Sequence, residues 1–119
     1  MVIGPIDSCT LNSDGAVHLH TSMGSTGGLI RNHLDDCLIG FNKKIGLSSP
    51  LQAELWGIYI GLCLAWDHNY KHVQVQFDCS EALKLISSPL AESDAYALVQ
   101  VIAYLVKETF DNGLCYNSM

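Results

Sequence analysis

Ser49-Pro50-Leu51-Gln52-Ala53-Glu54-Leu55-Trp56-Gly57 is the stretch at which the hydrophobic pattern of this chain changes period. Serine at the N-cap, proline at the first helical position and glutamine at the third make a capping box, which satisfies two orphan amides reciprocally. The helix so started is expected to run to about His68. At 100° per residue, Leu51, Glu54, Ile58, Gly61, Leu62 and Ala65 share one stripe, the face expected to pack inward. Glu54 therefore stands among buried positions, where a carboxylate without a partner is costly. One reading is a salt-bridged or partly exposed glutamate near a positive helix N-terminus. The other is a metal ligand aimed at a sheet. Trp56, Tyr59, Ile60 and Cys63 make the opposite face apolar too, so a second helix or a partner should cover it.

Strand patterns flank this helix on both sides. Upstream, Ser8 to His18 reads as a first strand, and Gly24-Ser25-Thr26-Gly27-Gly28 as a flexible loop. Leu29 to Asn32 follows as a second strand, and His33-Leu34-Asp35-Asp36 as a hairpin turn into a third, Cys37 to Lys43. Three strands with short connections favour an antiparallel meander. Downstream, His72 to Phe77 alternates Val73, Val75 and Phe77 with Gln74, Gln76 and Asp78, the period of a strand. A helical piece, Ser80 to Ser88, is stopped by Pro89. Ser93-Asp94 caps another helix to about Phe110, with Leu98, Val101, Ile102, Leu105 and Val106 inside. Leu114 to Met119 begins a fifth strand. A strand after a long helical crossover commonly runs parallel to a neighbour, so the expected fold class is α/β, a mixed sheet with helices packed on it. Residues 1–7, with Gly4-Pro5, read as a linker to one domain over residues 8–119.

The length of 119 residues suits one domain. Six Lys and Arg against twelve Asp and Glu give a formal charge of −6. That balance argues against non-specific grip on a polyanion, but not against a metal-dependent enzyme whose cations offset local charge. Five cysteines, an odd number with no C-x-x-C pair, argue against a disulfide framework and a zinc ribbon and point to a reducing compartment. Leu55 to Trp66 is the longest apolar run and is too short to span a bilayer. No basic segment precedes an apolar one at the N-terminus. The expected location is therefore intracellular, in cytoplasm or nucleus, with no membrane contact.

Three acids carry the chemical argument. In Leu11-Asn12-Ser13-Asp14-Gly15-Ala16 the Asp-Gly pair alone would mark a turn. Glu54 on the helix and Asp78 at the end of the fourth strand give it company. Magnesium takes a few carboxylates plus water and phosphate oxygens. Two such ions about 3.5–4 Å apart can activate water and stabilise the leaving oxygen in phosphodiester hydrolysis. Gly15 would let substrate or backbone approach closely. Ser48, Ser49 and the helix N-terminus behind them are candidates for contact with a substrate phosphate, although capping alone explains Ser49. Arg31, Lys43 and Lys44 offer a thin cationic handle, with a solvated charged face as the equal alternative. His18 with His20, and His68 with His72, read as solvent histidines, because zinc needs further ligands. Cys79 reads as a small buried residue. The loop over residues 24–28 lacks the Gly-Lys-Ser/Thr of a phosphate-cradling P-loop.

Taken together, Ser13-Asp14-Gly15-Ala16, Gly27-Gly28-Leu29-Ile30-Arg31, Leu51-Gln52-Ala53-Glu54-Leu55-Trp56-Gly57 and Phe77-Asp78-Cys79 resemble the type 1 ribonuclease H domain. The likeness is to its plant, retroelement-type (non-LTR) branch, often found at the end of reverse-transcriptase polyproteins, and covers roughly residues 8 to 112. The resemblance implies a five-stranded mixed sheet of order 3-2-1-4-5. It also implies cleavage of the RNA strand of RNA–DNA hybrids with two magnesium ions, held by Asp14, Glu54 and Asp78. The pattern departs at the end. The family's fourth acid, in an Asn-x-x-Ala-Asp-like motif opening a helix after the fifth strand, has no counterpart before Met119. Asp94 and Asp111 fall too early to replace it.

The expectation is thus a domain truncated at its C-terminus, with the last strand incomplete and the final helix missing. Strand four would be partly an open edge, and the second Mg²⁺ weakly held or lost. Two functions follow. One is a Mg²⁺-dependent endonuclease acting on RNA–DNA hybrids. The other is a catalytically impaired, retroelement-derived remnant that serves as a binding or interaction module, with a protein partner or an upstream reverse-transcriptase domain.

Overall fold

The capped helix lies across a sheet in the computed structural model. The structure describes residues 8–77, 81, 97–102, 104 and 114–118, with the backbone alone for residues 77 and 114–118. In chain order the elements are β1 (Ser8–Val17), β2 (Met23–Asn32), β3 (Cys37–Leu47), α1 (Pro50–Asp67), β4 (His72–Phe77) and β5 (Leu114–Ser118). They form one sheet of order β3-β2-β1-β4-β5 among the described residues. β1, β2 and β3 pair antiparallel, whereas β4 runs parallel to β1 and β5 parallel to β4. The mixed sheet and its order match the expectation. Residues 97–102 and 104 are helical, as the Ser93-Asp94 reading required, and so is Glu81. The linker over residues 1–7 and the acids Asp78, Asp94 and Asp111 lie outside the described residues.

The largest correction is to β2, which starts at Met23 rather than Leu29. The stretch over residues 24–28 is strand, not loop. Gly27 pairs with Asp14 on one side and Asn42 on the other, so it is fixed by ladders on both edges. Its neighbour Gly28 is crowded: a Cβ there would stand 2.6 Å from the Phe41 ring and meet the Asn12 carbonyl oxygen. Glycine here answers a close approach of neighbouring strands, and composition alone reads the same residues as flexible. β3 likewise continues to Leu47, past the expected Lys43. The turn between them is the expected one. Asn32 Oδ1 accepts from the amides of Leu34 and Asp36, each at 2.9 Å, while Asp35 adopts φ 67°, a region aspartate tolerates.

α1 keeps its full capping box. Ser49 Oγ accepts from the Gln52 amide at 3.1 Å, and Gln52 Oε1 accepts from the Ser49 amide at 2.9 Å. The buried side of the helix comprises Ala53, Leu55, Gly57, Ile58, Gly61, Leu62 and Ala65. It packs on Cys9 and Leu11 of β1, Ile30 of β2, and Val73 and Val75 of β4, with Val99 and Ile102 closing the core. Each large apolar side chain so removed from water contributes about 1.5–3 kcal/mol. Val101, expected inside, is 44% exposed, and Val99 takes the inward position. Trp56 stands exposed on the outer face, edge-on to the Tyr59 ring at 5.7 Å.

β5 changes the picture of β4. Its five register pairs, from Val73↔Leu114 to Phe77↔Ser118, run along almost the whole of β4. β4 is therefore an interior strand here, and the partly open edge expected of it is absent over these residues. Among the described residues no helix is long and apolar enough to cross a membrane.

Candidate active site

The Asp14-Gly15 pair lies within β1, in register with Gly27 and Thr26 of β2, and is no turn. Alternation along β1 sends Ser13 and Gly15 towards α1 and Asp14 to the other face of the sheet. Gly15 is where strand and helix touch. A Cβ there would lie 2.5 Å from the carbonyl carbon of Ala53 and 2.7 Å from the amide nitrogen of Glu54. Only glycine lets the first turn of α1 come this close.

That contact joins two of the three acids. The Gly15 amide donates to Asp14 Oδ1 at 2.9 Å and to Glu54 Oε1 at 3.1 Å. Asp14 is exposed, Glu54 is half-buried, and Glu54 Oε2 is withdrawn from solvent. Glu54 lies at the centre of the inward stripe, as the helical spacing required. Behind the pair, the Thr26 hydroxyl donates to the Asp14 carbonyl oxygen at 3.0 Å. A depression of about 270 Å³ runs beside Asp14 and is lined also by Gly15, Thr26, Gly27 and Asn42.

The third acid, Asp78, lies outside the described residues, as does Cys79. β4 advances beside β1 with register pairs through Asn12↔Gln76, and Phe77 is its last residue. Among the described residues no three His, Cys, Asp or Glu side chains converge. Asp14 and Glu54 offer carboxylate oxygens only, the hard donor set that suits Mg²⁺ rather than a soft transition metal.

The remaining candidates occupy other places. Ser49 is exposed at the N-terminus of α1 with its hydroxyl engaged by the cap, and Ser48 Oγ reaches the Gly46 carbonyl at 3.4 Å. Arg31 lies four residues beyond Gly27 along β2, roughly 13 Å at the usual rise. There its guanidinium donates to Asn12 Oδ1 at 3.2 Å, and Asn12 Nδ2 donates to Gln76 Oε1 at 2.8 Å. This places Arg31 in a polar row across β2, β1 and β4 rather than beside the carboxylates. Lys43 and Lys44 lie exposed on β3. His18 and His20 stand in the turn after β1, not on a strand face, with rings 5.8 Å apart.

Among the described residues no cysteine lines the depression beside Asp14. Burial pushes the Cys9 thiol up to about 12, and raises the Tyr70 hydroxyl, with Cys9 adding to the effect. Tyr59 is raised chiefly by its hydrogen bond with Cys63, then by the charge of Cys63 and by burial. Cys9, Cys37 and Cys63 are free thiols.

Sequence reading missed Thr26, which fell inside the supposed loop. The sign available was the position two residues before Gly28 in a run that ends in Leu29-Ile30-Arg31. Extending that strand backwards would have set Thr26 opposite Gly15.

Comparison with known proteins fits this architecture. The reverse transcriptase-like family model matches residues 12–114. A protein of Arabidopsis thaliana named for ribonuclease H is 31% identical in an alignment of 96 residues that covers 77% of this chain and 16% of that protein. The chain thus spans about one sixth of the length of that curated relative. Among solved structures, RNase H1 of Halobacterium salinarum superposes with a TM-score of 0.78 at 14% identity, over 94% of this chain and 85% of the other. LC11-RNase H1, isolated from compost and crystallised with an RNA/DNA hybrid, gives 0.82 at 15% identity, over 93% and 84%. The N-terminal RNase H domain of a Mycobacterium tuberculosis protein gives 0.77 at 16%, over 94% and 81%. At such identities these structures establish the fold. With the family match covering most of its length, the chain belongs to the reverse transcriptase-like family and has the ribonuclease H-like fold.

Proposed function

We propose that the chain is a Mg²⁺-dependent nuclease domain that cleaves the RNA strand of RNA–DNA hybrids. The observation that carries this reading is the meeting of Asp14 and Glu54 on one backbone amide, that of Gly15. Two carboxylates from separate elements, held in fixed relation by a shared donor, make a site for hard cations rather than a pair of surface charges. Asp78, next in the chain after β4, is assigned as the third carboxylate. When bound there, Mg²⁺ would supply positive charge to activate water and to stabilise the leaving oxygen of a phosphodiester.

The protein's own part is to hold the carboxylates close together and open to substrate on one side. The Gly15 amide ties both acids to one point by donating to each. The glycine-lined depression beside Asp14 leaves the approach unobstructed. Ser48 and Ser49, at the N-terminus of α1, are the candidates for contact with a backbone phosphate. Selection of a hybrid would rest on the 2′-hydroxyl and groove shape, since base edges take no part in the chemistry. An upstream reverse-transcriptase domain on a longer chain is the natural partner of such an activity.

The test is cleavage of a labelled RNA–DNA hybrid with Mg²⁺, beside Asp14→Asn. Cleavage by the wild type that the variant loses supports the reading. Hybrid binding without cleavage in either protein would replace it with that of a non-catalytic binding module.

A further inference from the structure

The peptide group between Asp14 and Gly15 is held from both ends. Its N–H donates to the two carboxylates, and its carbonyl oxygen accepts from the Thr26 hydroxyl at 3.0 Å. Thr26 is buried, at 4% exposure, and stands in register with Gly15 on the neighbouring strand. Room for the hydroxyl comes from α1: a Cβ on Gly57 would meet Thr26 Oγ1. One turn of the helix thus supplies Glu54 to the site and leaves the space that Thr26 fills.

We infer that Thr26 is a positioning residue for the carboxylate pair, acting through the Asp14–Gly15 peptide. This assignment rests on the proposed metal site. A hydroxyl fixed on the carbonyl oxygen sets the plane of the peptide, and with it the direction in which the Gly15 amide points. A bond accepted at the oxygen also polarises the peptide and strengthens the donor at its nitrogen, as in hydrogen-bonded chains generally. Carboxylates that share this donor keep their spacing only while the donor keeps its direction, and metal sites tolerate about 0.5 Å of looseness. Packing alone would ask for an apolar residue here. Valine has the shape of threonine and suits a central strand, yet it would leave the Asp14 carbonyl without this partner.

The test uses the whole chain with Mn²⁺ as probe, for Thr26→Val, Thr26→Ser and Thr26→Cys. Mn²⁺ affinity is read by calorimetry, and the Gly15 amide proton by heteronuclear NMR in the absence of metal. With the fold intact, Thr26→Val should bind Mn²⁺ about five- to tenfold more weakly, the effect of one hydrogen bond. Its Gly15 amide proton should move upfield, whereas Thr26→Ser should stay near the wild type in both measurements. Should the valine variant not fold, Thr26→Cys, a far weaker donor of similar size, is expected to show the same losses. Wild-type affinity and an unmoved Gly15 resonance in the valine or cysteine variant would overturn the role of Thr26 alone. Serine as damaging as valine would do so too, by pointing to packing. A wild type that takes up no Mn²⁺ would overturn the metal reading together with this assignment.

Discussion

Asp14 on β1 and Glu54 on α1 accept hydrogen bonds from the same amide, that of Gly15, at 2.9 and 3.1 Å. The relation depends on a missing side chain. The first turn of α1 lies against Gly15 so closely that a Cβ would strike the backbone at Ala53 and Glu54. Backbone cannot swing aside as a flexible side chain can. Gly15→Ala must therefore push the helix outward, at a cost of about 2–3 kcal/mol typical of overpacking. Urea unfolding should show that loss, and hybrid cleavage should fall with it, because Glu54 moves with the helix. A variant of unchanged stability would show that the strand–helix approach is looser than described.

Charge and shape at Glu54 can be separated. Glu54→Gln keeps an oxygen that can accept from the Gly15 amide while removing the negative charge. Stability should change by less than about 1 kcal/mol, whereas Mg²⁺-dependent cleavage should fall by about a hundredfold or more, since metal charge stabilisation is worth several kcal/mol. Chelation of the metal should silence the wild type, and added Mg²⁺ should restore it. Unaltered turnover in the glutamine variant would remove Glu54 from the site.

Much of this arrangement is legible in the sequence, and the parts that are not have definite causes. The Ser49 cap, the β4 alternation and the Asn32–Asp36 turn are local signals, each carried by a few adjacent residues, and each stands where the sequence places it. The start of β2 is not local. Gly27 and Gly28 look like loop residues until the neighbouring strands are known, because Gly27 answers the closeness of the Phe41 carbonyl and Gly28 that of Asn12 and the Phe41 ring. The partnership of Asp14 with Glu54 lay between. Spacing put Glu54 on the inward stripe and motif likeness put Asp14 beside it, but the shared amide needs the strand–helix contact itself. Thr26 stayed hidden for the same reason as β2.

The cap offers a way to separate stability from substrate contact. Ser49→Ala removes the oxygen that accepts from the Gln52 amide, and about 1 kcal/mol of stability should go with it. If Ser49 also meets a substrate phosphate, KM for the hybrid should rise severalfold while kcat holds. Ser49→Asp restores a capping acceptor but sets a negative charge towards the phosphate. It should therefore recover stability and worsen KM further. Equal KM values across all three proteins would confine Ser49 to the cap.

Cys9 lies in the core at 4% exposure, and its burial sets both its reactivity and an alkaline limit on the fold. The thiol is raised from 9.0 to about 12. At pH 8 the folded thiolate population is then roughly a thousandfold below that of an ordinary thiol, a factor of ten for each unit. Alkylation by iodoacetamide, mapped by mass spectrometry, should label exposed Cys37 while sparing Cys9 until the chain is unfolded. The same shift acts on stability. Below about pH 9 both folded and unfolded chains keep the Cys9 proton, so the group has no effect on the pH dependence there. Between 9 and about 12 the unfolded chain releases a proton that the folded one retains, so stability falls as pH rises. Tyr70, raised by burial and by Cys9, acts in the same direction. Urea midpoints taken at pH 7, 9 and 10.5 should be level over the first interval and decline over the second. Cys9→Ala should start from a lower midpoint and decline less steeply. An identical alkaline slope in the two proteins would assign the decline to groups other than Cys9.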